Sequence, residues 1–527
     1  VPFQKVAVYD ELHTFGGERR LSRLRLRALC QNARYGEKML SKNMRISIQH
    51  WLAGALMSLL LTPAIFAGDF EDGMQFVLSK DYARAVQSFR KAAEDGNADA
   101  QFNLGVMYSK GRGVEQDYAR AAHWYRKAAE QDDVPAQSML GFMHLKGQGV
   151  QQDYQQALFW YLRAAGHGYA VAQHNLGVMY AKGQGVPQDY QQAVAWYAKA
   201  AEQGHAPAQA ILGFMYLKGQ GVEEDDRQAA SWYLKAAEQG YADAQYALGV
   251  LYAKGRGVGQ SDSEAVSWYR KSAEQGNVDA QFNLGLMYSG GTGIGQDDKQ
   301  AALWYRKAAE QEYARAQFKL GVAYAKGRGI TQDEYEAAAW YRKGAEGGYA
   351  PAQFNLGVMY ATGKGVIQDD QKAVYWYRQA AEQGDPDAQF NLGVRYDNGR
   401  GIAKDEQEAL NWYRKAAEQG YARAQYSLGV KYDNGEGVPQ DYAQALSWYQ
   451  RAAEQGHAGA QTNLGVLYYN GHGVKQDYVE ADKWFSIASA SGYEDALENR
   501  ELMEKLMTPV QVAEAHRQAD EWSKTKK

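Results

Sequence analysis

Cysteine is almost missing from this 527-residue chain: Cys30 is the only one. A single thiol excludes a disulfide within the chain and any metal centre built on several thiolates. An excess of positive charge is missing too, the formal net charge being −4. That makes wrapping of nucleic acid or docking on anionic lipid a poor expectation. The ten histidines form no His-Glu-x-x-His or similar array. They are therefore expected at the surface or in packing, with no metal and no cofactor. Long apolar runs are scarce as well. Trp51 to Leu61 carries no charge but is eleven residues long, too short to span a bilayer comfortably.

That run reads as the core of a secretory signal peptide. Met44-Arg45 opens a weakly basic stretch, and Pro63 and Ile65-Phe66-Ala67 suit cleavage after Ala67. The expected organisation is 1–43 as a mis-extended start or a real N-terminal extension, 44–67 as the signal, and export to the periplasm or beyond. Residues 1–67 hold ten basic and four acidic side chains, so the remainder carries 48 against 58, a net charge of −10. After cleavage, no stable membrane insertion is expected.

Apolar residues make up 45% of the chain, enough to pack, yet 527 residues exceed what one core serves. The bias lies in 39 Tyr, 13 Trp and 56 Gly against only nine Pro, which suggests one aromatic-rich, Gly-punctuated unit used many times. Gln101 opens a series that recurs every 36 residues to Gln461, each followed three and four residues later by Leu-Gly. Trp124 recurs equally to Trp484, followed by Tyr throughout except at Phe485. The register covers 97–492 as eleven repeats without an insertion.

Each unit reads as two helices. Helix A runs from about Ala98 to Ser109, with Gln101, Leu104, Gly105 and Tyr108 on one stripe. A Gly-x-Gly loop follows, then Asp117, Asp153, Asp189 and their equivalents as N-caps, with Ser261 the single replacement. Helix B carries Ala121, Trp124, Tyr125, Ala128 and Ala129 at helical spacing. It usually ends at a Gly such as Gly96, Gly168 or Gly204, which tolerates a left-handed cap. Asp132 and Glu312 depart from that rule. The small residues let backbones approach, while Trp124 and Tyr125 are expected to fill the space between successive pairs. Residues 68–96 read as a degenerate starting pair and 493–527 as closing helices, the last beginning at Thr508-Pro509.

Ala-x-x-x-Leu-Gly on helix A, the Gly-x-Gly-Val loop and Ala-x-x-Trp-Tyr-x-x-Ala-Ala on helix B resemble the Sel-one-like repeat, a relative of the tetratricopeptide repeat. The resemblance implies an all-α, right-handed superhelical α/α solenoid with helices A on its concave face, and a scaffold or adaptor role. Catalytic signatures do not compete with it. The Gly-x-Gly loops lack the third Gly and preceding strand of a dinucleotide site, and Gly357 to Lys364 is one residue too long for a phosphate loop. No Ser-x-x-Lys plus Lys-Thr-Gly pair is present. The expectation is thus a binder and not an enzyme, with a protein or peptide as partner. A glycan- or cell-wall-binding module is the alternative and a hydrolase the distant one.

Positions that vary within the fixed frame are the candidates for contact. Nine residues after the Gln stand Lys110, Lys146, Lys182, Lys218 and Lys254; one after stand Phe282, Phe318, Phe354 and Phe390. Arg395 and Lys431 replace the usual Met, and Asp397 and Asp433 follow close behind. Two readings stay open: solvent-facing drift, or a groove that is basic in its first half, polar and acidic in its last third, with an apolar floor.

Overall fold

The computed structural model describes residues 68–525, so the expected signal segment, the preceding extension and the last two residues lie outside the described residues. Twenty-six helices and no strand occur among the described residues. They fall into two compact units that divide between Gln152 and Asp153. The first holds Asp69–Leu78, Tyr82–Glu94, Ala98–Lys110, Tyr118–Glu130 and Val134–Lys146. The second runs from Tyr154–Gly166 through successive hairpins to Pro509–Thr525.

Within each unit a helix B packs on its own helix A and on the helix A that follows. The caps are those the sequence calls for. Asp117 accepts from the backbone N–H of Arg120 and Ser261 from that of Glu264, and every helix A from 98–110 to 458–470 ends in a left-handed Gly. Helix A runs one residue beyond the expected Ser109, to Lys110. Asp132 and Glu312 both adopt φ +64°, so the left-handed turn after helix B persists where Gly is replaced.

Two glycines show why a hairpin of this shape repeats. Gly249 sits in mid-helix against the ring of Tyr269, where a Cβ would come within 2.7 Å of two ring carbons. The buried Tyr therefore lies directly on the backbone of its own helix A. In the loop, Gly185 has φ +72°, and a Cβ there would meet the carbonyl oxygen of Tyr154, in the preceding helix B, at 2.7 Å. Close approach within a hairpin and close approach between hairpins are thus set by different glycines.

The aromatics divide the same way. Trp268 joins a cluster shared by Tyr233 of the preceding helix B and Leu248 and Leu251 of its own helix A. Lys271, one turn later, lies over its indole at 3.9 Å. So the Trp fills the space between pairs as expected, whereas the Tyr fills the space within one. The recurring Gln is a buried clamp: Gln245 Nε2 donates to the carbonyl of Ala237 at 3.0 Å, and its Oε1 accepts from Gln275 Nε2 at 2.7 Å. One side chain thereby ties together three helices, with both of its polar ends satisfied.

Candidate interaction face

The lysine row occupies one structural position. Lys182, Lys218, Lys254 and Lys326 are each the last residue of a helix A in the second unit. Lys110 and Lys146 hold the same place in the first. A cation there complements the carbonyl end of the helix. All are exposed except Lys254, which is half-buried. Partial burial holds the Lys254 ammonium below its usual range, with Arg256 and Lys218 adding to the effect. Neighbouring repeats therefore bring their lysines within electrostatic reach of one another.

The phenylalanine row is placed differently from the expected groove floor. Phe282 is only 2% exposed and belongs to a core cluster. Its ring lies 6.0 Å from Tyr305 of its own helix B and 5.3 Å from Tyr313 at the start of the next helix A. Phe318 and Phe390 repeat that sandwich with Tyr341 and Tyr349, and with Tyr413 and Tyr421. Phe354 keeps one side of it, 5.9 Å from Tyr377. The three are half-buried. This row is first of all a ladder between repeats, because the position after the buried Gln is still on the packed side of helix A.

Arg395, Asp397, Lys431 and Asp433 also turn out to be turned inward. The position that Arg395 and Lys431 occupy is held elsewhere by the fully buried Met179, so a cation there must find partners. Arg395 pairs with Asp370 of the preceding helix B at 2.7 Å, and Asp370 also takes Arg400 at 2.9 Å. Lys431, 6% exposed, pairs with Asp397 at 2.7 Å and Glu436 at 2.8 Å. Asp397 and Asp433 accept from the hydroxyls of Tyr413 and Tyr449. Arg395, Asp397 and Lys431 thus take part in ion pairs between repeats, while Asp433 is held by a hydroxyl of its own hairpin.

Other groups on the helix A face escaped the sequence reading. Two residues before the Gln, Asp387 accepts from the Tyr421 hydroxyl at 2.6 Å and Asp243 from Asn277 Nδ2 at 3.0 Å. Burial pushes the carboxyls of Asp243 and Asp279 up from their usual range. The signal was the recurrence of Asp at that register, but its partners lie 34 residues away.

A family model for the Sel1 repeat matches twelve consecutive segments, from 70–97 to 458–493. The chain belongs to the Sel1 repeat family. Among solved structures it is similar to c5321, described as a protective antigen present in uropathogenic Escherichia coli strains displaying an SLR fold. The two are 41% identical over 83% of this chain and 94% of that one, with a TM-score of 0.77. A Sel1 repeat protein from Oxalobacter formigenes is 35% identical over 64% of this chain and 99% of its own, at a TM-score of 0.47. No curated protein matches the sequence.

The first Sel1 repeat is the pair read from sequence as a degenerate cap. Its Gly73 meets Phe89 as Gly105 meets Tyr125, so the hairpin has the same packing with a shorter loop. The Sel1 scaffold is consistent with protein–protein interaction. No helix among the described residues is long and apolar enough to cross a membrane.

Proposed function

We propose that this Sel1 repeat chain is an exported, non-enzymatic scaffold that holds a protein or peptide segment along the face built from helices A. The observation that carries the reading is the exposed lysine at one register of successive repeats in an otherwise acidic chain. Such a row suits an acidic segment or a terminal carboxylate, steering its approach and fixing its register. Export rests on the 44–67 segment, with cleavage after Ala67, and agrees with the description of c5321 as a protective antigen. N-terminal sequencing of exported protein should begin at Gly68; recovery with 1–43 intact would remove both the start and the localisation.

The partner is to be found by crosslinking pull-down with the mature chain, beside a glycan array that would favour the cell-wall reading if it alone gave a signal. With a partner in hand, Lys182→Glu combined with Lys218→Glu should slow association and flatten its dependence on salt, measured as binding kinetics at two ionic strengths. Phe354→Ala is a poor companion test, because its ring is packed on Tyr377 and its loss disturbs the repeat itself. If the charge-reversed pair binds like wild type while changes on exposed helix B positions abolish binding, the face is wrongly assigned.

A further inference from the structure

The helix that ends the last matched repeat breaks its own pattern at one place. Its equivalents in the ten preceding repeats, Ala122 through Leu446, are all Ala, Val or Leu, but here the residue is Asp482. Asp482 is 0% exposed, and neither of its carboxylate oxygens has a hydrogen-bond partner. A buried carboxylate left so poorly served is costly unless a cation or a proton compensates it.

Two further donors converge on it from the closing helices Glu494–Leu506 and Pro509–Thr525. His516 Nε2 lies 3.6 Å from Asp482 Oδ2 and 3.2 Å from Glu504 Oε1. One donor atom from each of the three residues can be chosen so that all lie within 4.8 Å of one another. In a tetrahedral shell with metal–ligand distances of about 2.0–2.1 Å, neighbouring ligands stand about 3.3–3.4 Å apart. The two imidazole–carboxylate separations bracket that value. Arg500 also stands beside the cluster, 3.3 Å from Glu504 through Nε and 3.4 Å from Ser489 Oγ through Nη1. It balances one of the two carboxylates and leaves the other.

We propose that Asp482, Glu504 and His516 form a binding site for one divalent cation of the zinc type, which ties the final helix to the last repeat. One imidazole and two carboxylates suit zinc better than calcium or magnesium, which favour all-oxygen shells. His516 is 44% exposed on its side chain, so the ion has a route in and water can complete the shell.

The test uses the full mature chain and zinc itself. Calorimetry at pH 7 should show one equivalent bound, and cobalt in its place should give the visible absorption of a low-coordinate site. His516→Gln and Glu504→Gln should each weaken binding at least tenfold. Asp482→Leu restores the residue type of the other repeats, so it should abolish binding while the helical signal stays intact. Zinc should slow amide exchange in 509–525 of the wild type and leave that of Asp482→Leu unchanged. Absence of one-to-one binding, or binding undiminished in His516→Gln and Asp482→Leu, overturns the proposal; a proton shared by Asp482 and His516 would then account for the cluster.

Discussion

Glu312 stands in a left-handed conformation, φ +64°, at a turn where Gly204, Gly240 and Gly276 serve elsewhere. An L side chain held there costs about 1 kcal/mol relative to Gly. Glu312→Gly should therefore stabilise its hairpin by about that amount, despite the greater freedom Gly gives the unfolded chain. Amide exchange of 298–326 reads the change directly, and a slower exchange is the expected sign. The same residue-scale logic governs Lys431. Its cation is enclosed by Asp397 and Glu436, so removing it would strand two carboxylates, whereas the Met of other repeats needs no partner.

Between neighbouring hairpins, one contact responds to pH. His174 takes the place that Phe holds in later repeats, with its ring 5.6 Å from Tyr197 and 4.9 Å from His205. Burial lowers the His174 pKa to about 3, with the nearby His205 adding to it, and burial lowers His205 to about 4. His205 also caps the helix that follows, its Nδ1 accepting from the backbone N–H of Ala208 at 3.3 Å. Protonation at Nδ1 would end that bond. Both folded values lie below the unfolded value of about 6.5, so the unfolded state takes up protons first as pH falls. Stability is complete above about pH 6.5 and declines until pH passes the folded values, about 4 for His205 and about 3 for His174. At pH 5 the loss is roughly 2 kcal/mol for each histidine. Exchange of 170–218 should accelerate between pH 6.5 and 5, after correction for intrinsic rates, and His174→Phe should remove about half of the effect.

At the scale of the whole chain, stability is spread over repeats that each depend on the next. Trp268 is 9% exposed and lodged in a cluster that joins the preceding helix B to its own helix A, so Trp268→Ala should cost about 3–5 kcal/mol. In a linear array coupled by nearest neighbours, the damage should stay within the adjoining repeats. Hydrogen exchange resolved by peptide is the measurement. Protection lost between about 226 and 290 is expected, and an even loss over 153–525 would contradict the scheme.

Repeat length, helix boundaries, N-caps and left-handed turns were all legible in the sequence, because each depends on neighbours within one 36-residue unit. Gln101 and Leu104-Gly105 gave the register, and Asp117 and Ser261 gave the starts of helix B, by local chemistry alone. Even the two misfits at Asp132 and Glu312 could be read that way. The contacts across units could not. Phe282, Arg395 and Lys431 vary as surface residues vary, and only packing reveals that the first is core and the others are paired with Asp370 and Asp397. Asp482 showed as an acid among ten apolar equivalents, but its meaning depends on Glu504 and His516, which two closing helices outside the repeat bring to it. A side chain's partner in a stacked array lies about 25–35 residues away, and the choice among residues at that distance is made by three-dimensional packing, which no periodicity in one dimension encodes.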